Sequence, residues 1–441
     1  MNFPKRGESH QQVMAQLQEA ITHDADWRGG RIWSLVYFAG EDVAALLKDA
    51  YSTAFFTNGL GPGAFKSLRK FESEVIAMTA DLLGCPQAAG NMTSGGTESI
   101  LMAVKTARDW ARAEKGITAP EMVLPVTAHP AFDKAAQYLG VKAVHIPIDD
   151  DLRADVSAAR EAITPNTVLL VGSAPNYPFG TIDPIPQLAE LAQEHGIACH
   201  VDACLGGYLL PFVKRLGYEV SPWDFSVPGV TSISADLHKY GFSARGASTV
   251  LYRDRQYRRH QFFAYGDWPG GLYGSPTMTG SRPGGAIAAA WAVLNYLGED
   301  GYTRLAKVIM ETSRALIDGI DAIPGLRVLG RPEMSVFAFA SDTVDVHAVA
   351  DALDAAGWHP DRQQLPPSLH LMVTPSHEAI VPAFLADLDA AVRRVSREGA
   401  ISGGRAAMYG MLEQTQDRGV VRNVIVDFVD RLTDVKEGNG S

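Results

Sequence analysis

The sequence is poor in cysteine, with three among 441 residues: Cys85, Cys199 and Cys204. No C-x-x-C pair occurs. Neither a disulfide framework nor a thiolate metal site is expected, and a reducing, cytoplasmic setting fits. No run of about 18 apolar residues is present, so no transmembrane helix is expected. The opening MNFPKRGESHQQ lacks the apolar core of a signal peptide. Positive charge is also in short supply: 39 Lys and Arg stand against 50 Asp and Glu, a net charge of −11. That balance argues against broad nucleic-acid binding or a strongly basic membrane face, while leaving room for a local basic pocket. Internal repeats and low-complexity segments are missing too.

What is present reads as an ordinary globular enzyme, with 46% hydrophobic residues, 42 glycines and 25 prolines. Residues 1–60 form an aromatic-rich arm (Trp27, Trp33, Tyr37, Phe38) that ends in helical EDVAALLKDAYSTAF. From 61 to 300, short Val/Ile-rich segments alternate with helical ones: EMVLPV, KAVHIPI, TVLLVGSAP, IACHVDA, VTSISAD and ASTVLYR. This alternation predicts an α/β fold with a mostly parallel central sheet and helices on both faces. A smaller α/β domain is expected over 301–400, with MSVFAFAS and LHLMVTP as strands. A tail with one helix follows over 401–441.

Four features fall at strand ends, where open α/β sheets bind ligands. Lys239 follows the strand VTSISAD within Asp236-Leu237-His238-Lys239-Tyr240. A neutral lysine amine forms a Schiff base with an aldehyde, and burial lowers a lysine pKa toward that neutral form. Alone, such a lysine is more often a strand-end residue snorkelling to solvent. Asp202 ends the strand in HVDAC, where it could hold a proton on a pyridine nitrogen or simply cap a turn. Ser94-Gly95-Gly96-Thr97 opens a helix whose free amides suit a phosphate; without a following Gly-Lys it is no P-loop. His129 follows MVLPV, where an imidazole could stack on a planar ring or cap the next helix.

Together these four read as a pyridoxal phosphate site. The strings TSGGTESILMAVKTARDWA, HVDACLGGYL, GVTSISADLHKYGFSARGAS, YRRHQFF, SPTMTGSRPGG and MYGMLEQTQDR run from about residue 60 to 420. On them the chain resembles pyridoxal-phosphate enzymes of fold type I, the aspartate aminotransferase-like fold, in the group II decarboxylase-like set. More narrowly, it resembles the sphingosine-1-phosphate lyase family.

The resemblance implies Lys239 as the Schiff-base lysine, Asp202 on the pyridine nitrogen and His129 stacked on the ring. It implies Gly96 and Thr97, with Ser94 and Gly95, as the phosphate cup and His238 as a helper beside the lysine. Tyr177 matches a position implicated in proton transfer. Ser281 would reach the cofactor phosphate of a neighbouring subunit in a homodimer. Tyr37 and Asn58 would line the substrate entrance across that interface. The implied substrate is a phosphorylated sphingoid base, split by retro-aldol cleavage.

Two positions depart from the family pattern. Arg245 stands where a second lysine is usual; it keeps the charge and can grip a phosphate, but is a poor acid or base. Gly61-Pro62-Gly63 replaces a His-Pro-Asp. The competing readings are an amino-acid α-decarboxylase on the same scaffold, for which Arg245 could hold a carboxylate, and a non-enzymatic descendant of the fold.

Overall fold

A computed structural model describes residues 3–61, 63–399, 405–406, 415 and 417–433. Pro62 and most of MYGMLEQTQDR lie outside the described residues.

Seven strands build the main sheet: β1 (Ala89–Thr93), β2 (Glu121–Pro125), β3 (Lys142–Ile146), β4 (Thr167–Ser173), β5 (Ala198–Asp202), β6 (Ser232–Ala235) and β7 (Ser248–Tyr252). Their order is β1-β7-β6-β5-β4-β2-β3. Strands β2 to β6 pair in parallel, and β7 runs antiparallel to both neighbours. The mostly parallel sheet expected from the sequence is therefore present. β4 and β5 are buried along their whole length, as strands covered on both faces must be. The Gly96–Lys115 helix leaves β1 and stops at Gly116, which caps it in the left-handed region at φ 66°.

β1 was not anticipated, because AGNMT has no β-branched run to announce it. Its place is set by β7: Gly90 faces Leu251, and a Cβ on Gly90 would stand 2.5 Å from the Val250 carbonyl oxygen. An exposed hairpin, β8 (Phe263–Trp268) and β9 (Gly271–Ser275), follows the main sheet.

The Gly284–Asp321 helix, bent at Gly298, leads to a second sheet. That sheet is antiparallel, with β10 (Leu326–Val328), β11 (Val336–Ser341), β12 (Asp361–Gln364) and β13 (Pro367–Met372) in the order β10-β11-β13-β12. The helices Val346–Ala355 and Val381–Glu398 cover it, the first capped by Asp345 through the His347 and Ala348 amides. The N-terminal arm contributes to this second core. Trp33 is fully buried, stacked on His377 at 4.4 Å and packed on Phe384 at 4.5 Å. A helix over His10–Ile21, which the sequence pattern did not signal, has no buried residue. Among the described residues, no helix is long and apolar enough to cross a membrane.

Candidate active site

A cavity of about 370 Å³ opens at the C-terminal ends of the parallel strands. Lys239, Asp202, His129, Tyr177, His238 and the Ser94–Thr97 turn all line it. These residues come from five separate stretches of chain. The parallel topology brings them together, since it sends every strand-to-helix turn to one edge of the sheet.

Lys239 Nζ lies 3.0 Å from Asp236 Oδ2, and Asp236 is 1% exposed. The lowered lysine pKa expected from the sequence is corrected here. Burial does push the amine down, but the Asp236 carboxylate outweighs it and holds Lys239 above the ordinary value. The resting amine is an ammonium ion. Beside it, His238 Nδ1 accepts the Ala247 amide at 3.2 Å, and burial lowers its pKa.

The phosphate cup is an uncapped helix start. No side chain caps Gly95, so the first amides of the Gly96–Lys115 helix face the cavity with the positive end of its dipole. Glycine is required at Gly96 by a close approach: a Cβ there would stand 2.8 Å from Asp236 Oδ2 and 2.9 Å from Cys204 Sγ. Ser94 is engaged elsewhere, because its amide and hydroxyl both donate to Glu98 Oε2 at 2.6 Å. The other oxygen of buried Glu98 accepts the Met278 and Thr279 amides, at 2.9 and 3.2 Å. Glu98 thus ties the cup to the segment that carries Ser281.

Asp202 Oδ1 accepts the Cys204 amide at 3.1 Å and the Ser234 hydroxyl at 3.2 Å. His200 lies beneath, hydrogen-bonded to Ser232 and Ser234 and held neutral by burial with its pKa lowered to about 4. This polar layer fixes the Asp202 carboxylate at the cavity wall. His129 Nδ1 accepts the Ala131 amide at 3.1 Å, and desolvation lowers its pKa. The neutral ring therefore carries its proton on Nε2.

Tyr177 sits on a turn gripped by the small sheet. Its hydroxyl donates to Asp361 Oδ2 at 3.2 Å, and its ring stacks on His370 at 4.3 Å. His370 Nε2 bonds its carbonyl at 2.8 Å, and Gln363 Nε2 donates to the Pro178 carbonyl at 2.9 Å. Three residues on, Gly180 (φ 71°) presses on β11 so closely that a Cβ would overlap the Val336 carbonyl. Burial, then the Asp361 charge, raises the Tyr177 pKa well above the ordinary phenol.

Tyr37 lies beside the site of its own chain, edge-on to Tyr240 at 4.9 Å and 5.6 Å from the Arg245 guanidinium. Its hydroxyl is pushed up to about 12, chiefly by burial. Asn58 and Ser281 do not line the Lys239 cavity. Asn58 accepts the Leu60 amide, its backbone bridges to Pro283, and Ser281 is exposed nearby.

The sequence reading missed Asp236, Glu98, Asp361 and His370. Asp236 had a signal, an acid three residues before the lysine, whereas Asp361 is 184 residues from Tyr177 and had none.

These residues fit pyridoxal phosphate. The cup offers free amides where Cβ atoms are excluded, Asp202 presents a fixed carboxylate, and Lys239 supplies the amine.

The chain matches the pyridoxal-dependent decarboxylase conserved domain over residues 1–341. It is 49% identical to a sphingosine-1-phosphate lyase of Oryza sativa subsp. japonica, over 95% of this chain and 79% of the relative. To sphingosine-1-phosphate lyase 1 of Rattus norvegicus it is 44% identical, over 99% and 78%. The solved structure of a Burkholderia pseudomallei sphingosine-1-phosphate lyase superposes with a TM-score of 0.91 at 40% identity, covering 99% of this chain and 97% of that one. The chain belongs to the pyridoxal-dependent decarboxylase family, in its sphingosine-1-phosphate lyase branch, and its cofactor is pyridoxal phosphate.

Proposed function

We propose that the chain cleaves sphingosine-1-phosphate and related phosphorylated sphingoid bases between C2 and C3, giving a long-chain aldehyde and phosphoethanolamine. The observation that carries this reading is the 40–49% identity to such lyases across nearly the whole chain, in a protein that keeps the lysine, aspartate, histidine and cup in one cavity.

When bound, pyridoxal phosphate supplies an electron sink for the charge left at C2 as the C2–C3 bond breaks. Asp202 would keep a proton on the pyridine nitrogen. His129 would face the ring, and the amides of Gly95, Gly96 and Thr97, with His238, would hold the phosphate. A base must take the proton of the substrate's 3-hydroxyl. His129 has no open lone pair, because Nδ1 is engaged by the Ala131 amide. Tyr177 donates its own proton to Asp361, which leaves the Oη lone pair open to accept from the substrate hydroxyl, with Asp361 behind it as the final acceptor. Lys239 Nζ shares the cavity, but as a free amine it is held as ammonium against Asp236, so its part would be to give a proton back rather than to take this one. Arg245 and Tyr37, 5.6 Å apart and outside the cavity lining, would meet the far end of the substrate, where the guanidinium suits its phosphate.

A homodimer with shared sites belongs to this reading. Asn58 and Ser281 lie outside the cavity of their own chain, and Phe55, Phe56 and Leu272 are exposed. In this reading the arm is 1–60, the cofactor domain 61–300 and the small domain 301–400. The three buried free thiols favour a reducing compartment such as the cytoplasm.

The test is phosphorus NMR of the loaded protein with sphingosine-1-phosphate. Release of phosphoethanolamine is expected. An inert lipid, together with carbon dioxide released from one member of an amino-acid panel, would replace this reading with the decarboxylase.

A further inference from the structure

The chemistry described so far leaves Asp236 without a task beyond its contact with Lys239. Asp236 Oδ2 is 3.0 Å from Lys239 Nζ and 3.7 Å from His238 Nε2. Its Oδ1 is buried with no hydrogen-bond partner among the described residues. Ser248 lies close by, within reach of the carboxylate, and its hydroxyl also points to the Ala235 carbonyl at 3.3 Å. The carboxylate also lies against the first turn of the cup, where a Cβ on Gly96 would touch it.

A buried carboxylate with an orphan oxygen is costly unless its charge is compensated. Burial lowers the His238 pKa, and among the described residues Lys239 is the one lysine or arginine in an ion pair with Asp236. Once Lys239 combines with an aldehyde, it can no longer serve as an ammonium partner. At the same moment an anionic phosphate settles into the cup above. A carboxylate left there would face a like charge without a counter-ion, and protonation removes both difficulties.

We propose that Asp236 is the counter-ion and proton store of Lys239: it parks the free amine as ammonium beneath the cup and takes one of its protons when the lysine binds an aldehyde. Of the three hydrogens on Nζ, one passes to Asp236 Oδ2 and two leave with the carbonyl oxygen as water. The nitrogen lone pair forms the carbon–nitrogen bond as the carbon–oxygen bond breaks, and no oxidant is involved. This assignment concerns cofactor loading and stands whichever substrate the enzyme cleaves.

Two measurements test it, neither of them turnover. First, the full chain stripped of cofactor is labelled with acetic anhydride at pH 8, and Lys239 acylation is followed by peptide mass spectrometry. With Asp236→Asn the largest influence that raises the amine is lost, burial is opposed only by weaker ones such as Asp202, and the amine's pKa falls. Each pKa unit is tenfold in neutral amine, so labelling should rise at least about tenfold. Equal labelling in both proteins overturns the parking role. Second, the infrared difference between loaded and stripped wild-type chain should show one gained protonated-carboxyl band. That band should shift in Asp236→Glu and be missing in Asp236→Asn. No gained band in the wild type overturns the proton store, and this holds even if neither variant folds.

Discussion

Replacing Gly96 with alanine tests the geometry of the cup with a single methyl group. The new Cβ would stand 2.8 Å and 3.0 Å from the two oxygens of Asp236 and 2.9 Å from Cys204 Sγ. None of these can easily retreat: Cys204 is buried in the wall, and Asp236 is held by Lys239. Either the carboxylate moves and loosens the lysine, or the first helical turn tilts and its amides lose their common focus. Overpacking of this kind costs about 1–3 kcal/mol. If the cost falls on the loaded state, the pyridoxal phosphate dissociation constant rises about 5- to 150-fold. Gly95→Ala is the internal control, since its Cβ would meet only the His238 ring, at 3.3 Å, and a ring can yield. Its effect should stay below about 1 kcal/mol, or roughly fivefold. The assay is cofactor titration of the stripped chains, followed by absorbance. Equal affinity for Gly96→Ala and wild type, or a larger loss for Gly95→Ala, would refute the placement of Asp236 against the cup.

Lys239→Ala should abolish both the covalently bound cofactor absorbance and all turnover, and retained activity would sink the assignment of this lysine. Asp361→Asn removes the charged acceptor of the Tyr177 hydroxyl; for a partly exposed acid this is worth about 1–2 kcal/mol, so kcat should fall about 5- to 30-fold with KM little changed. His200 and His377 are both buried neutral, their pKa lowered from 6.5 to about 4, chiefly by burial. The unfolded chain binds those protons first, so their contribution is complete above pH 6.5 and is lost as pH falls toward 4, by about 3 kcal/mol each. Denaturant unfolding of His377→Gln should accordingly lose less stability than wild type between pH 6.5 and 4.5, and parallel losses would contradict this.

The sites at strand ends were legible because a parallel sheet collects them at one edge. Lys239, Asp202 and His129 could each be placed from the apolar run that precedes it, the Gly95-Gly96 turn from the helix that follows it, and one cavity joins them. The ionisation of Lys239 was not legible, because its direction depends on the distance to Asp236, which was read only as the end of a strand. Asp361 and His370 were out of reach for another reason. They come from β12 and β13, and only tertiary packing, such as that of Gly180 on Val336 of β11, brings those strands to Tyr177. Two strands of the small sheet went unread because LRV is three residues long and DRQQ is polar throughout. The arm shows the opposite case: its aromatic residues were conspicuous, yet nothing nearby in sequence announced that Trp33 completes the core of a sheet more than 300 residues away.

The measurement that bears most directly on the central claim is mass spectrometry of the aldehyde formed from sphingosine-1-phosphate by the loaded wild-type enzyme. Cleavage between C2 and C3 predicts an aldehyde two carbons shorter than the sphingoid base, in equal amount with phosphoethanolamine and absent with Lys239→Ala. No aldehyde, or an aldehyde of any other length, would contradict the account.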